Sequence, residues 1–179
     1  MTTPSFLFLD RDGVINTRIP GEYVRTVEQF TFEPGALRAL ALLRPLFERI
    51  VVVTNQAGIG KGLMTTADLA KVHEYLQTEA AVVGCTLDAI YFCPNISADQ
   101  APCRKPGVGM GQWAQRDFPE IRFESAWMVG DSASDIEFGR RLGMKTALVT
   151  GKVGEEHEPV QADTSVGSLL AFAEWIKTR

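Results

Sequence analysis

The segment Phe6-Leu-Phe-Leu-Asp10-Arg-Asp-Gly13 constrains this 179-residue chain most, because four apolar residues run without a break into two acids and a glycine. Such a run reads as a short buried strand ending in a polar loop. Four more runs of the same kind follow at Ile50–Val53, Ala89–Phe92, Ala126–Val129 and Thr146–Val149. Helical periods near 3.6 lie between them, over Gly35–Phe47, Thr66–Ala81, Gly109–Asp117 and Ser132–Leu142, with Ser168–Lys177 closing the chain. This alternation predicts an α/β fold, a Rossmann-like parallel sheet flanked by crossover helices. Thr65 or Thr66 is the expected cap of the second helix, and Gly143 the expected stop of the fourth.

With 45% hydrophobic residues, the chain can bury one good core and is short for two, so residues 1–179 are expected to form a single domain. No repeat or low-complexity linker divides it. The connections Asn16–Thr31 and Pro94–Val108 are long for such a fold but too short for a folded lid, which leaves at most a minimal cap. The apolar run Ala39–Leu43 stops at Arg44 and Pro45, far below the roughly 18 residues of a membrane span. The first residues lack the basic start of a secretory signal, so a cytoplasmic location is expected, without membrane attachment. A net charge of -4 argues against nucleic acid as a partner. Cys85, Cys93 and Cys103 are too few and too unevenly spaced for a disulfide framework, which fits a reducing compartment.

Ligand sites in open α/β sheets lie beyond the carboxyl ends of the strands, where Asp10 and Asp12 stand. Two carboxylates so close repel each other unless a divalent cation or a shared proton intervenes. Taken alone, the motif reads equally well as a solvated Asp-x-Asp-Gly turn. The second strand, however, runs Val51-Val-Val-Thr54-Asn-Gln56 and ends in hydroxyl and amide groups suited to phosphoryl oxygens. The fourth, Ala126-Trp-Met-Val-Gly-Asp131-Ser-Ala-Ser-Asp135, ends in another acidic loop.

With Lys105-Pro106 between the last two, these ordered segments resemble the four motifs of the haloacid dehalogenase superfamily of phosphohydrolases, from Phe6 to about Gly151. The resemblance implies the haloacid dehalogenase fold and a magnesium-dependent phosphatase. Asp10 would be the nucleophile that becomes a phosphoaspartate, and Asp12 the general acid and base. Asp10, Asp131 and the backbone carbonyl of Asp12 would hold Mg2+. Thr54 and Lys105 would bind the transferring phosphoryl group. Asp135 would orient the metal's surroundings through water or Lys105, or else be an ordinary first-turn helix acid.

Asp10-Arg-Asp-Gly-Val-Ile-Asn16, Thr54-Asn-Gln-Ala-Gly-Ile-Gly60 and Cys103-Arg-Lys-Pro106 resemble the branch of heptose-bisphosphate and histidinol-phosphate phosphatases, and the first of these more closely. That resemblance implies a small sugar phosphate as the partner, in a bacterial pathway feeding lipopolysaccharide or related glycans. Arg104 would recognise a second phosphate or hydroxyls, while Asn55, Gln56, Ala57 and the loop Pro20, Gly21, Glu22 and Tyr23 line the sugar pocket. The branch carries a zinc loop of form Cys-x-His and Cys-x-Cys. Here Cys93-Pro-Asn95 and Pro102-Cys103 keep two of four ligands, so zinc is not expected, and Cys93 and Cys103 read as remnant thiols. Cys85 reads as a buried apolar residue.

Gly58-Ile-Gly-Lys61-Gly62 lacks the spacing of a phosphate-binding loop and reads as a turn beside the substrate. His73 and His157 read as solvated, and Trp113, Trp127 and Trp175 as packing residues. Other classes remain: a phosphoacceptor receiver, which needs no acid at Asp12; a non-catalytic sugar-phosphate binder, which has no use for the intact acid set; and a polynucleotide 3'-phosphatase, which wants a basic groove. A monomer is expected.

Overall fold

Side chains alternate across a parallel sheet and build a separate core on each of its faces. The computed structural model describes residues 6–151 and 160–179. Its strands are β1 (Phe6–Leu9), β2 (Arg49–Asn55), β3 (Ala89–Cys93), β4 (Ala126–Gly130), β5 (Lys145–Val149) and β6 (Thr164–Val166), in the order β3-β2-β1-β4-β5-β6. All neighbours pair in parallel, with Leu9 opposite both Val52 and Val129.

On one face Leu7, Leu9, Ile50, Val52, Trp127 and Val129 pack against helices α1 (Ala36–Leu43), α3 (Thr66–Val82) and α6 (Leu169–Ile176). On the other, Phe6, Phe8, Val51, Val53 and Met128 pack against α4 (Gly109–Asp117) and α5 (Ala133–Leu142). Burial of each large apolar side chain contributes roughly 1.5–3 kcal/mol, and β1, buried at all four positions, joins both cores. Trp127 and Trp175 stack edge to face at 5.4 Å in the first core, in line with the packing role read from the sequence.

The expected strands and helices are present, with boundary shifts of identifiable cause. Helix α1 stops before Pro45, and Arg44–Leu46 tightens into a 3-10 turn instead of continuing to Phe47. Thr65 caps α3 in a reciprocal box with Asp68, and Gly143 ends α5 at a positive φ of 80°. The glycine-rich segment after β2 is a short helix, α2 (Ala57–Gly60), not a plain turn. β6 escapes sequence reading because three residues, Thr-Ser-Val, carry too little pattern to stand out. His157 and the acidic stretch Glu155–Glu158 lie outside the described residues.

Gly130 ends β4 where the chain turns into α5. A Cβ there would sit 2.1 Å from Asp135 Cβ and 2.4 Å from its Cγ, so this strand end has room only for a hydrogen. We therefore expect Gly130→Ala to lower unfolding stability in urea by about 1–3 kcal/mol, the usual cost of overpacking. An unchanged midpoint would show that the strand end yields without disturbing Asp135.

Candidate active site

The chain leaves β1 for β2 and β3 on one side and later returns to place β4 on the other, so the sheet order reverses between β1 and β4. A crevice opens at such a switch point. Asp10 follows β1 and Asp131 follows β4 at this crevice, and Asp10 N–H extends the ladder to Val129 O at 2.9 Å. A cavity of about 380 Å³ lies over the strand ends, lined by Asp10, Asp12, Asn55, Arg104, Lys105 and Asp135 among others.

Lys105 is the buried cation at its floor. Its Nζ lies 2.8 Å from Asp10 Oδ1, 2.7 Å from Asp135 Oδ1 and 2.7 Å from Val53 O. Burial works against the ammonium, but Asp10 and Asp135 outweigh it and raise the pKa of Lys105. Burial, then the charge of Asp135 and that of Asp131, push Asp10 well above the usual carboxylate range, with Lys105 pulling the other way. Oxygens of Asp10, Asp131 and Asp135 all lie within 4.8 Å of one another. A buried all-oxygen set with surplus negative charge fits a hard divalent cation such as Mg2+.

Asp135 unites the two readings that the sequence left open. Its Oδ2 accepts from Ser132 N–H, Ser132 Oγ and Asp131 N–H, capping α5, while its Oδ1 faces Lys105. Asp12 is held apart from this group. Arg11 Nη2 and Asn16 Nδ2 donate to its Oδ1, each at 2.9 Å, and Gln56 Nε2 donates to its Oδ2 at 2.8 Å. Burial works upward on Asp12, yet the Arg11 charge and these bonds hold its pKa below the usual range. Gln56 Nε2 also reaches Thr54 Oγ1 at 2.8 Å, linking the ends of β1 and β2.

Of the residues expected to line a sugar pocket, Gly21, Glu22, Tyr23, Asn55, Ala57 and Arg104 do line the cavity. Pro20 is exposed and not part of its wall. Gln56 is also not in the wall: it is 1% exposed, behind Asp12, because its amide is used to fix Asp12 and Thr54. Asn55 does more than line the cavity. Its Oδ1 accepts from Lys105 N–H at 3.0 Å and its Nδ2 donates to Lys105 O at 3.2 Å, clamping the backbone at Lys105.

Two further features depart from the sequence reading. Cys93 and Cys103 are joined in a disulfide, with Cα atoms 5.4 Å apart, and are not separate thiols. The return of the loop to β2 brings them together: Gly60 N–H donates to Pro94 O, Arg104 Nη1 to Asn95 O, and Asn55 holds Lys105. Spacing along the chain carries no trace of that return. His73 is 8% exposed, not solvated, since α3 turns Leu69, Val72, His73, Leu76 and Ala80 inward. Its Nε2 accepts from Arg11 Nη1 at 3.1 Å.

Arg11 itself, fully buried, went unread. The signal was present, because two residues past Leu9 the strand alternation carries Arg11 towards the core of Leu7 and Leu9, over Phe30. Arg18, on the connection after β1, pairs with Asp131, and no motif marks it. Lys61 also joins the wall, its Nζ 5.3 Å from the centre of the Tyr23 ring.

Comparison with known proteins now bears on this geometry. The HAD-hydrolase-like family matches residues 102–171. The D-glycero-alpha-D-manno-heptose-1,7-bisphosphate 7-phosphatase of Mycobacterium bovis is 41% identical over 169 residues, 93% of this chain and 88% of that protein. The chain belongs to the heptose-bisphosphate phosphatase family. The D-glycero-beta-D-manno-heptose-1,7-bisphosphate 7-phosphatase of Helicobacter pylori is 33% identical over 99% of both chains. Among solved structures, the D,D-heptose 1,7-bisphosphate phosphatase of B. bronchiseptica, complexed with magnesium and phosphate, superposes with a TM-score of 0.86 at 29% identity. It covers 97% of this chain and 98% of its own. A heptose-bisphosphate phosphatase of the same architecture has therefore been crystallised with both magnesium and phosphate.

Burial, reinforced by the Arg11 charge and opposed by Asp12, pushes His73 down to about 3. The unfolded chain takes up that proton near pH 6.5 and the folded protein refuses it, so stability should fall as pH drops from about 6.5 towards 3. The expected slope from this residue is about 1.4 kcal/mol per pH unit below its unfolded pKa. Urea unfolding at pH 7 and pH 5.5 should show it in the native protein and lose that part in His73→Gln. An imidazole signal of His73 that titrates near pH 6.5 in the folded protein would contradict the assignment.

Proposed function

We propose that this chain hydrolyses D-glycero-D-manno-heptose 1,7-bisphosphate at the 7-phosphate, through a phosphoaspartate on Asp10 and with Mg2+. The observation that carries the reading is the buried Lys105 ammonium bridging Asp10 and Asp135 beside Asp131, at the floor of a cavity that also takes in Arg104. The names of the relatives point to the sugar, and greater identity to the alpha-anomer enzyme, 41% against 33%, favours the alpha anomer.

Asp10, Asp131 and the backbone carbonyl of Asp12 would hold the magnesium ion, which offsets negative charge on the phosphoryl group when bound. A carboxylate oxygen of Asp10 attacks phosphorus in line, and the bond from phosphorus to the sugar O7 breaks with its electron pair leaving on O7. Lys105 draws charge from the equatorial oxygens, and the Thr54 hydroxyl donates to one of them. Asp12 protonates O7. It starts as a carboxylate under the hold of Arg11, so its proton arrives as the substrate's own negative charge raises its affinity for one. Water then gives a proton back to Asp12 and attacks the phosphoaspartate, releasing phosphate and restoring Asp10.

Arg104 serves the second phosphate, its planar guanidinium suited to paired oxygens, while Glu22 and Tyr23 face the sugar hydroxyls. The substrate is a small sugar phosphate, and neither nucleic acid nor membrane enters the reading. Among the described residues no helix is long and apolar enough to cross a membrane. A cytoplasmic monomer completes it.

Phosphate release should be measured on both anomers of the heptose bisphosphate, heptose 1-phosphate, histidinol phosphate and hexose phosphates, with and without Mg2+. The reading requires a magnesium-dependent preference for a bisphosphate; preference for histidinol phosphate would overturn the substrate. Asp10→Asn should lower turnover by at least roughly a thousandfold without unfolding the protein, and retained activity would sink the phosphoaspartate route. Arg104→Ala should raise KM for the bisphosphate roughly tenfold and leave monophosphates little changed, since a charged hydrogen bond is lost only with the former.

A further inference from the structure

Arg18 is 44% exposed on the connection after β1, yet its guanidinium reaches into the site. One nitrogen, Nη2, spans both oxygens of a buried carboxylate, 2.8 Å from Asp131 Oδ1 and 3.0 Å from Asp131 Oδ2. Asp131 is 2% exposed at its side chain, and its oxygens belong to the cluster shared with Asp10 and Asp135. A positive group centred on that carboxylate stands where a ligated cation would meet it. The backbone behind Arg18 is anchored: Asn16 Nδ2 donates to Asp12 Oδ1, and Thr17 N–H to Thr31 O. Beyond it, Ile19, Gly21, Glu22 and Tyr23 continue along the cavity wall. The long side chain can therefore leave Asp131 and stay over the cavity with little change of backbone.

We propose that Arg18 is an exchangeable counter-ion of the metal site: it holds Asp131 in the metal-free protein and gives it up when a divalent cation binds. This rests on the reading of Asp10 and Asp131 as cation ligands. The ion and the guanidinium compete for the same oxygens, so Arg18 lowers metal affinity while it keeps the crowded carboxylates compensated in the ion's absence. Once displaced, the guanidinium remains beside Arg104 in the same cavity, adding positive charge only after the metal is in place. Metal then precedes substrate.

The test uses the full chain stripped of metal, with MgCl2 titrated calorimetrically into the native protein, Arg18→Met and Arg18→Lys, without substrate. Arg18→Met should bind Mg2+ roughly three- to tenfold more tightly, the effect of removing one half-exposed competing ion pair. In EDTA it should unfold at a lower temperature than the native protein, and at the same temperature in saturating Mg2+. Arg18→Lys, which keeps the charge but loses the planar head, should lie between the two. Mg2+ affinity of Arg18→Met equal to or weaker than that of the native protein overturns the proposal. Should that variant fold poorly, an affinity of Arg18→Lys at or below the native value does so alone. If no form binds Mg2+, the ligand reading falls and the proposal with it, whereas the sugar assignment is judged by phosphate release in separate assays.

Discussion

An ammonium buried among carboxylates is stable only if every one of its directions is answered, and the site is organised around meeting that condition for Lys105. Taking such a charge out of water costs several kcal/mol unless partners surround it. Asp10 from the end of β1, Val53 O from β2 and Asp135 from the first turn of α5 answer it together. These partners come from three separate elements, so the sheet, the helix and the Lys105 loop are tied at one point. Asp135 is stretched between two duties, capping α5 with one oxygen and facing Lys105 with the other. The helix start and the cavity floor are consequently one unit.

A second buried cation repeats the arrangement at the back of the cavity. Arg11 is fully buried between Asp12, His73 and the face of Phe30, and it holds the Asp12 carboxyl low, whereas Lys105 only partly offsets the upward push on Asp10. Two neighbouring acids of β1's loop thus sit in opposed environments, one pushed upward by burial and by surrounding acids and one held low by a guanidinium. In the proposed reaction both must change, Asp10 losing a proton to attack and Asp12 gaining one to protonate O7, so cation and substrate would have to reverse this resting difference.

The parallel sheet was legible because β1, β2 and β4 are buried on both faces and read as unbroken apolar runs, and because α3 and α5 start in capping boxes. β6 was not, since three residues at a sheet edge leave no pattern. Asp10, Asp12, Thr54 and Asp131 were legible as strand-end chemistry and Lys105 through the family resemblance, and the fold brings Lys105 to Asp10. What escaped depends on contacts across long separations. Arg18 meets Asp131 across 113 positions, His73 meets Arg11 across 62, and the Cys93–Cys103 bridge forms only because the loop between them folds back. Gln56 was assigned to the sugar pocket through the family resemblance, whereas its amide is already committed to Asp12 and Thr54.

The clamp of Asn55 on Lys105 separates two properties that are usually entangled. Lys105 is distant in sequence from the strands it serves, yet its backbone is positioned from β2 through both hydrogen bonds of one amide. The segment between Cys93 and Cys103 is closed on itself and leads to Arg104 at the cavity wall. The ammonium is therefore kept in register with Asp10 by Asn55 and not by the path of that segment. A lysine wired to the sheet thus sits next to a loop closed by its own bridge, and each is held by contacts that the other does not supply.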